Sequence, residues 1–167
     1  MTTQEGGLYH RFKEEAGINA LLDDYAFLCF GLLELYEATF KEAYLQTALD
    51  LVKFALNHFW DAQEGGFYTT ADFEKEVLVR KKQVYDGAIP SGNSVMLLNL
   101  LRLSRLTAST ELEEKAYELA KWGCGVISTH PEEATFFLQA LDFALGPTKE
   151  VVVVGKKDNN TNTTLNE

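Results

Sequence analysis

The sequence predicts an all-α fold, part of an α/α toroid in which inner and outer helices alternate around a ring, with a small β-hairpin insertion and a short C-terminal strand. Three observations predict it. Five stretches carry apolar residues at helical spacing. They alternate between apolar all round and apolar on one side only. The chain also matches itself at an offset of 68 residues, the separation of Leu32 from Leu100.

The first stretch, Leu21 to Tyr36, carries Leu22, Tyr25, Phe27, Leu28, Phe30, Leu32, Leu33 and Leu35 around most of its circumference, so burial on nearly all sides is expected. Ala43 to Phe59 is one-sided: Tyr44, Ala48, Leu51, Val52, Ala55 and Phe59 recur with Gln46, Asp50, Lys53 and Asn57 between them. Ser94 to Leu106 is again apolar all round. Glu111 to Ile127 has a wet face and is opened by Thr110 with Glu113 three residues on, a capping-box pattern. Glu132 to Leu145 is the third inner helix, framed by Pro131 in its first turn and Gly146-Pro147 beyond its end. At the 68-residue offset Leu33, Leu35, Thr39, Ala48, Leu51 and Lys53 meet Leu101, Leu103, Thr107, Ala116, Leu119 and Lys121. An inner/outer helical hairpin is therefore repeated, and a third copy contributes only its inner helix. Asp61 to Gly92 is too long for a plain connection. There Gly65-Gly66 followed by Phe67 to Thr70, then Val77 to Val79, predicts a hairpin over one mouth of the ring. Glu150 to Gly155 reads as a strand. Residues 1–155 then form the partial toroid, and the polar stretch 156–167 reads as a disordered tail.

A chain of 167 residues fits one domain, and 46% apolar residues supply a core. A net charge of −10 argues against nucleic acid, whose phosphates need clustered Lys and Arg. The longest apolar run, Tyr25 to Leu33, falls far short of the roughly 20 residues of a spanning helix. No membrane association is expected, and a start without a signal-peptide core predicts a cytoplasmic protein. Cys29 and Cys124 lie in apolar helical stretches without metal spacing, so buried free thiols are expected, with no metal and no cofactor.

Inner helices that alternate with outer ones run parallel, so their N-termini share one end. That end gathers Asp23, Asp24 and Tyr25, then Ser91, Asn93 and Ser94, then His130, Glu132 and Glu133. The linker adds Arg80, Lys81, Lys82, Tyr85 and Asp86, and the cover adds Trp60, Phe67 and Tyr68. Carboxylates, amides, hydroxyls and aromatic faces suit a sugar, so the candidate substrate-binding set is Tyr25, Trp60, Phe67, Arg80, Tyr85, Ser91, Asn93, His130 and Glu132. Asp24 and Asp86 are the candidate catalytic pair, for glycoside hydrolysis or proton abstraction beside a carbonyl. Helix capping is the competing reading for both. A capping Asp24 favours its ionised form and suits a base better than an acid. The Arg80-Lys81-Lys82 run is either an exposed edge or the seat of an anionic ligand group. His10 and His58 carry little signal.

The segments 21–40 (LLDDYAFLCFGLLELYEATF), 59–70 (FWDAQEGGFYTT), 78–95 (LVRKKQVYDGAIPSGNSV) and 130–155 (HPEEATFFLQALDFALGPTKEVVVVG) resemble the C-terminal part of YyaL-type thioredoxin-domain-containing proteins, related to a spermatogenesis-associated family in animals. The resemblance spans about residues 8–155. It implies a thioredoxin-like portion, absent from this chain, followed by a six-hairpin barrel like those of acylglucosamine 2-epimerases and glycosidases, of which this chain carries about half. The motif positions matched are Asp24, Tyr25, Tyr85, Asp86, Gly87, Pro90, Ser91, Gly92, Asn93 and Ser94. The expected function is carbohydrate recognition or sugar conversion at the inner-helix mouth. A fragment of this size is not expected to be a competent enzyme alone, and a homodimer is expected to cover its open flanks. The alternative is a non-catalytic interaction or scaffolding module.

Overall fold

A computed structural model describes residues 7–13, 15–147 and 149. The expected C-terminal strand, 150–155, and the tail, 156–167, lie outside the described residues. An antiparallel pair, β1 (Tyr9–Lys13) and β2 (Glu15–Asn19), precedes α1 (Leu22–Thr39) and α2 (Glu42–His58). A long linker leads to α3 (Gly92–Thr107) and α4 (Thr110–Ile127). A short 3-10 turn, Pro131–Glu133, then precedes α5 (Thr135–Leu145).

α3 is the centre. It packs on α1, α4 and α5, and every residue from Gly92 to Leu101 is buried, the apolar Val95–Leu98, Leu100 and Leu101 together with the polar Asn93, Ser94 and Asn99, which find hydrogen-bond partners inside. α2 and α4 bury one stripe each, Ala48, Leu51, Val52 and Ala55 on α2, which packs on α1, and Ala116, Leu119, Gly123 and Ile127 on α4, which packs on α3. The internal repeat is real in three dimensions. Phe40 and Ala108 end α1 and α3 in the left-handed conformation with φ of 52° each, and their N–H groups close on Tyr36 and Ser104. One residue earlier, the Thr39 and Thr107 hydroxyls donate to the carbonyls of Leu35 and Leu103.

Several expectations change. α1 and α5 are not buried all round: Phe27, Leu28 and Leu35 on one and Leu138 and Leu145 on the other face solvent. The reason is position, because α3 is packed between α1 and α5, whereas among the described residues α1 and α5 each meet α3 on one side. The hairpin expected over Phe67–Thr70 and Val77–Val79 is not formed. Phe67 makes an isolated bridge to Trp60, Thr69 pairs with Leu22 and Lys81, and Leu78 is fully exposed. The hairpin that does form, β1–β2, lies N-terminal to α1. α4 is capped by Ser109, whose hydroxyl accepts from the Leu112 N–H, and not by Thr110. Cys29 is buried, and Cys124 is exposed because its neighbour Gly123 takes the inward position.

Gly123 is where α4 meets α5, since the Phe137 ring fills the space that a Cβ would occupy. Gly125, two residues on, has open space around it. Gly123→Ala is expected to lose about 1–3 kcal/mol by overpacking, more than the roughly 1 kcal/mol that alanine gains in helix propensity. Gly125→Ala keeps that gain. Urea midpoints of the two variants should move in opposite directions, and movement in the same direction would refute this packing.

Among the described residues no helix is long and apolar enough to cross a membrane.

Candidate functional site at the shared helix N-termini

α1 opens with Asp24 reaching back, its carboxylate accepting the Leu21 N–H at 2.8 Å while its own N–H donates to the Leu21 carbonyl at 3.1 Å. This is the capping arrangement. β1 lays His10 over the same carboxylate, with Nδ1 at 2.8 and 3.0 Å from its two oxygens. Asp23, beside it, is half-buried against the start of α3. Burial pushes the Asp23 carboxyl above the usual range, outweighing a hydrogen bond from Gly92, and the charge of Asp24 adds to the rise.

The junction continues through Asp86. One of its oxygens accepts the Ser91 N–H at 2.8 Å, and the other accepts the N–H groups of Phe136 and Phe137 at 2.8 and 3.1 Å. Its own N–H donates to Glu133. Ser91 caps α3 by accepting the Ser94 N–H. Asn93, buried, accepts the Phe67 N–H and donates to the carbonyls of Phe67 and Gln83, fixing the linker on α3. Contacts from Asp23 to Gly92 and from Asp86 to Ser91 and Phe136 thus bring the first turns of α1, α3 and α5 to one end.

The expected ligand-facing residues separate into two groups. Tyr25 is core: its hydroxyl accepts the Leu8 N–H and its ring stacks on Phe54. Phe67 is fully buried, and Trp60 is held edge-on against it with the Lys115 ammonium over its ring. Arg80 donates to the carbonyls of Thr70 and His58 and lies over Tyr68. Ser91 and Asn93 are committed to backbone. Tyr25, Phe67, Ser91 and Asn93 are buried, and Trp60 and Arg80 are partly buried and packed into the linker. Tyr85, His130 and Glu132 remain open to solvent, with the His130 ring 3.4 Å from Glu132.

Two side chains of the basic run, Arg80 and Lys82, are engaged within the fold, while Lys81 is exposed. Lys82 turns inward onto Asp61, at 2.6 Å, and onto the Gly65 carbonyl, while Tyr68 also donates to Asp61. Burial alone would raise the Asp61 carboxyl. The hydrogen bonds from Lys82, the Gln63 N–H, the Tyr68 hydroxyl and the Glu64 N–H together bring it down to about 2. His10 carries little signal in the sequence, because its partner is 14 residues away and is reached only through β1.

Among the described residues no group of His, Cys, Asp and Glu is placed to hold a metal ion. An open cleft of about 440 Å³ lies between α2 and the start of α4, bordered by Lys53, Leu56, Ser109 and Leu112, and it takes in none of the N-terminal-end residues.

Fold and site define a class: an α-helical hairpin repeat in which the first turns of α1, α3 and α5 are tied together by Asp23 and Asp86. No family model matches the chain. Over most of its length it is nevertheless a homologue of spermatogenesis-associated protein 20, as the motif segments implied. It is 35% identical to the Rattus norvegicus protein over 135 residues, 80% of this chain, and 35% identical to the Homo sapiens protein over 137 residues, 81% of this chain. The chain spans about a sixth of those relatives, 17% of each. A cellobiose 2-epimerase of Bacteroides fragilis is 31% identical over 90 residues, covering 51% of this chain and 23% of that enzyme.

Proposed function

We propose that the shared end of α1, α3 and α5 binds a reducing sugar and moves a proton at the carbon beside its carbonyl, with His10 as base, Asp24 orienting it and Asp23 returning the proton. One observation carries this reading: the His10 imidazole is paired with the Asp24 carboxylate, and the residue beside Asp24 in the chain, Asp23, is a half-buried carboxyl whose proton affinity burial raises. A carboxylate only accepts, so the His10 nitrogen facing Asp24 bears the hydrogen, and Nε2 of the neutral ring keeps a lone pair for substrate. Asp23 holds its proton more tightly than an ordinary carboxyl, as a general acid must. Tyr85 offers an exposed ring for stacking, and His130 and Glu132 offer hydroxyl partners. The relative whose name describes an epimerase acting on cellobiose at carbon 2 supports proton transfer. Hydrolysis is less well supported, because both Asp86 oxygens are taken up by backbone N–H donors.

The test is a melting series of the chain with reducing mono- and disaccharides, followed by NMR of deuterium wash-in at C2 in D2O. A reducing disaccharide is expected to raise the melting temperature and, against the expectation from chain size that this part alone is not a competent enzyme, to exchange at C2. His10→Ala is expected to slow that exchange by about 100-fold. It should leave the sugar-free melting point within about 0.5 kcal/mol of its original stability, since the ring is half exposed. An unmoved melting temperature across the whole panel, with no exchange, overturns the reading.

A further inference from the structure

The helices at the two ends of the row each leave an apolar flank uncovered, and the repeat states what kind of surface fits one of them. On α1 that flank carries Phe27, Leu28, Gly31 and Leu35, with Leu28 43% and Leu35 46% exposed and open space around Gly31. The same positions of α3, 68 residues on, are Val95, Met96, Asn99 and Leu103, all buried. This side of α3 looks at α1. Asn99 donates to the Ala26 carbonyl at 2.8 Å, and Arg102, the counterpart of Glu34, reaches across to Glu34 and Glu37. The uncovered flank of α1 is therefore the repeat's own helix-binding face, and it continues the α1–α3 interface by one step. Its complement is the far side of an inner helix. α5 supplies such a side, with Leu138 and Leu145 exposed.

We propose that the occupant is a second copy of this chain, docked head to tail so that α5 of each copy lies along α1 of the other and a two-fold axis closes the pair. Two unlike surfaces meet twice, both flanks are covered together, and no apolar edge is left to recruit a third copy. The proposal goes beyond the sugar reading and stands whether or not a sugar binds.

Sedimentation velocity on the whole chain in reductant, at micromolar concentration, is expected to give twice the monomer mass. Leu28→Glu and Leu138→Glu alter exposed positions, so each variant should stay folded by circular dichroism. Each should weaken pairing by about tenfold or more, because each spoils both contacts of its own pair. An equimolar mixture of the two variants should regain pairing, since one brings an intact α5 flank and the other an intact α1 flank. A wild-type monomer overturns the proposal, as does an assembly that grows beyond two copies. A mixture that gains nothing overturns the head-to-tail arrangement and indicates like flanks meeting.

Discussion

Asp86→Ala is expected to lower the unfolding free energy by about 2–4 kcal/mol, read as a fall in the urea midpoint at constant slope. The size follows from what the carboxylate holds. α5 begins at Ala134, which has no side chain able to cap, so its first N–H groups depend on an acceptor from elsewhere. Asp86 supplies it from 50 residues earlier in the chain, taking both Phe136 and Phe137 on one oxygen. The other oxygen takes Ser91 at the start of α3. Alanine leaves three backbone donors without their partner and unties α5 from α3 in the same step. Asp86→Asn keeps one acceptor oxygen and should lose about half as much. If Asp86 acted chemically and not as a tie, both variants would keep the midpoint and lose only the C2 exchange, and that outcome would remove the capping account.

The same residue shows where sequence reasoning succeeds and where it stops. Asp86 stood out as a carboxylate before a Gly-Ala-Ile-Pro-Ser turn, and Ser91 as a cap, because both signals are local. What Asp86 does was hidden, since two of its three donors come from a helix that no pattern near residue 86 announces. α3 was legible because a helix buried on every side must be apolar on every side. α1 and α5 are at least as apolar but meet α3 on one side only among the described residues, and periodicity cannot say whether an apolar face has a neighbour. His10 belongs to a hairpin with no Asn-Gly or Asp-Gly turn and no clean alternation, so neither β1 nor the His10–Asp24 pairing had a signal to find. The one inference that reached furthest was geometric. Alternating hairpins make inner helices parallel, and the contacts of Asp23, Asp86 and Asn93 place their first turns together.

Lys82→Met should be the most damaging single change in the linker, costing about 3–5 kcal/mol. The basic run around it looks like a solvated edge, yet the Lys82 side chain is only 10% exposed and Asp61 8%. Its ammonium donates to Asp61 and to the Gly65 carbonyl and lies 4.9 Å from the Trp122 ring, so it fastens the Asp61–Gly66 turn to α4. Gly66 explains why that turn tolerates little movement: with φ of 80° it is pressed against Trp122, and a Cβ there would sit 2.6 Å from the indole. Removing the cation leaves Asp61 with the Tyr68 hydroxyl and two backbone N–H groups but with no opposite charge. Asp61→Asn in the Lys82→Met background should therefore recover part of the loss, a coupling that a double-mutant cycle reads directly. The pH dependence has a definite sign. The Asp61 carboxyl sits at about 2 in the fold against 3.8 ordinarily, so its stabilisation is complete above roughly pH 5 and is lost as pH falls through 4 towards 2. Without Lys82 the downward pull weakens, Asp61 takes its proton at higher pH, and the acid limb of the stability curve becomes shallower. A Lys82→Met protein within about 1 kcal/mol of the original, with an unchanged acid limb, would mean that the buried pair contributes little and that Trp122 and Gly66 alone hold the turn.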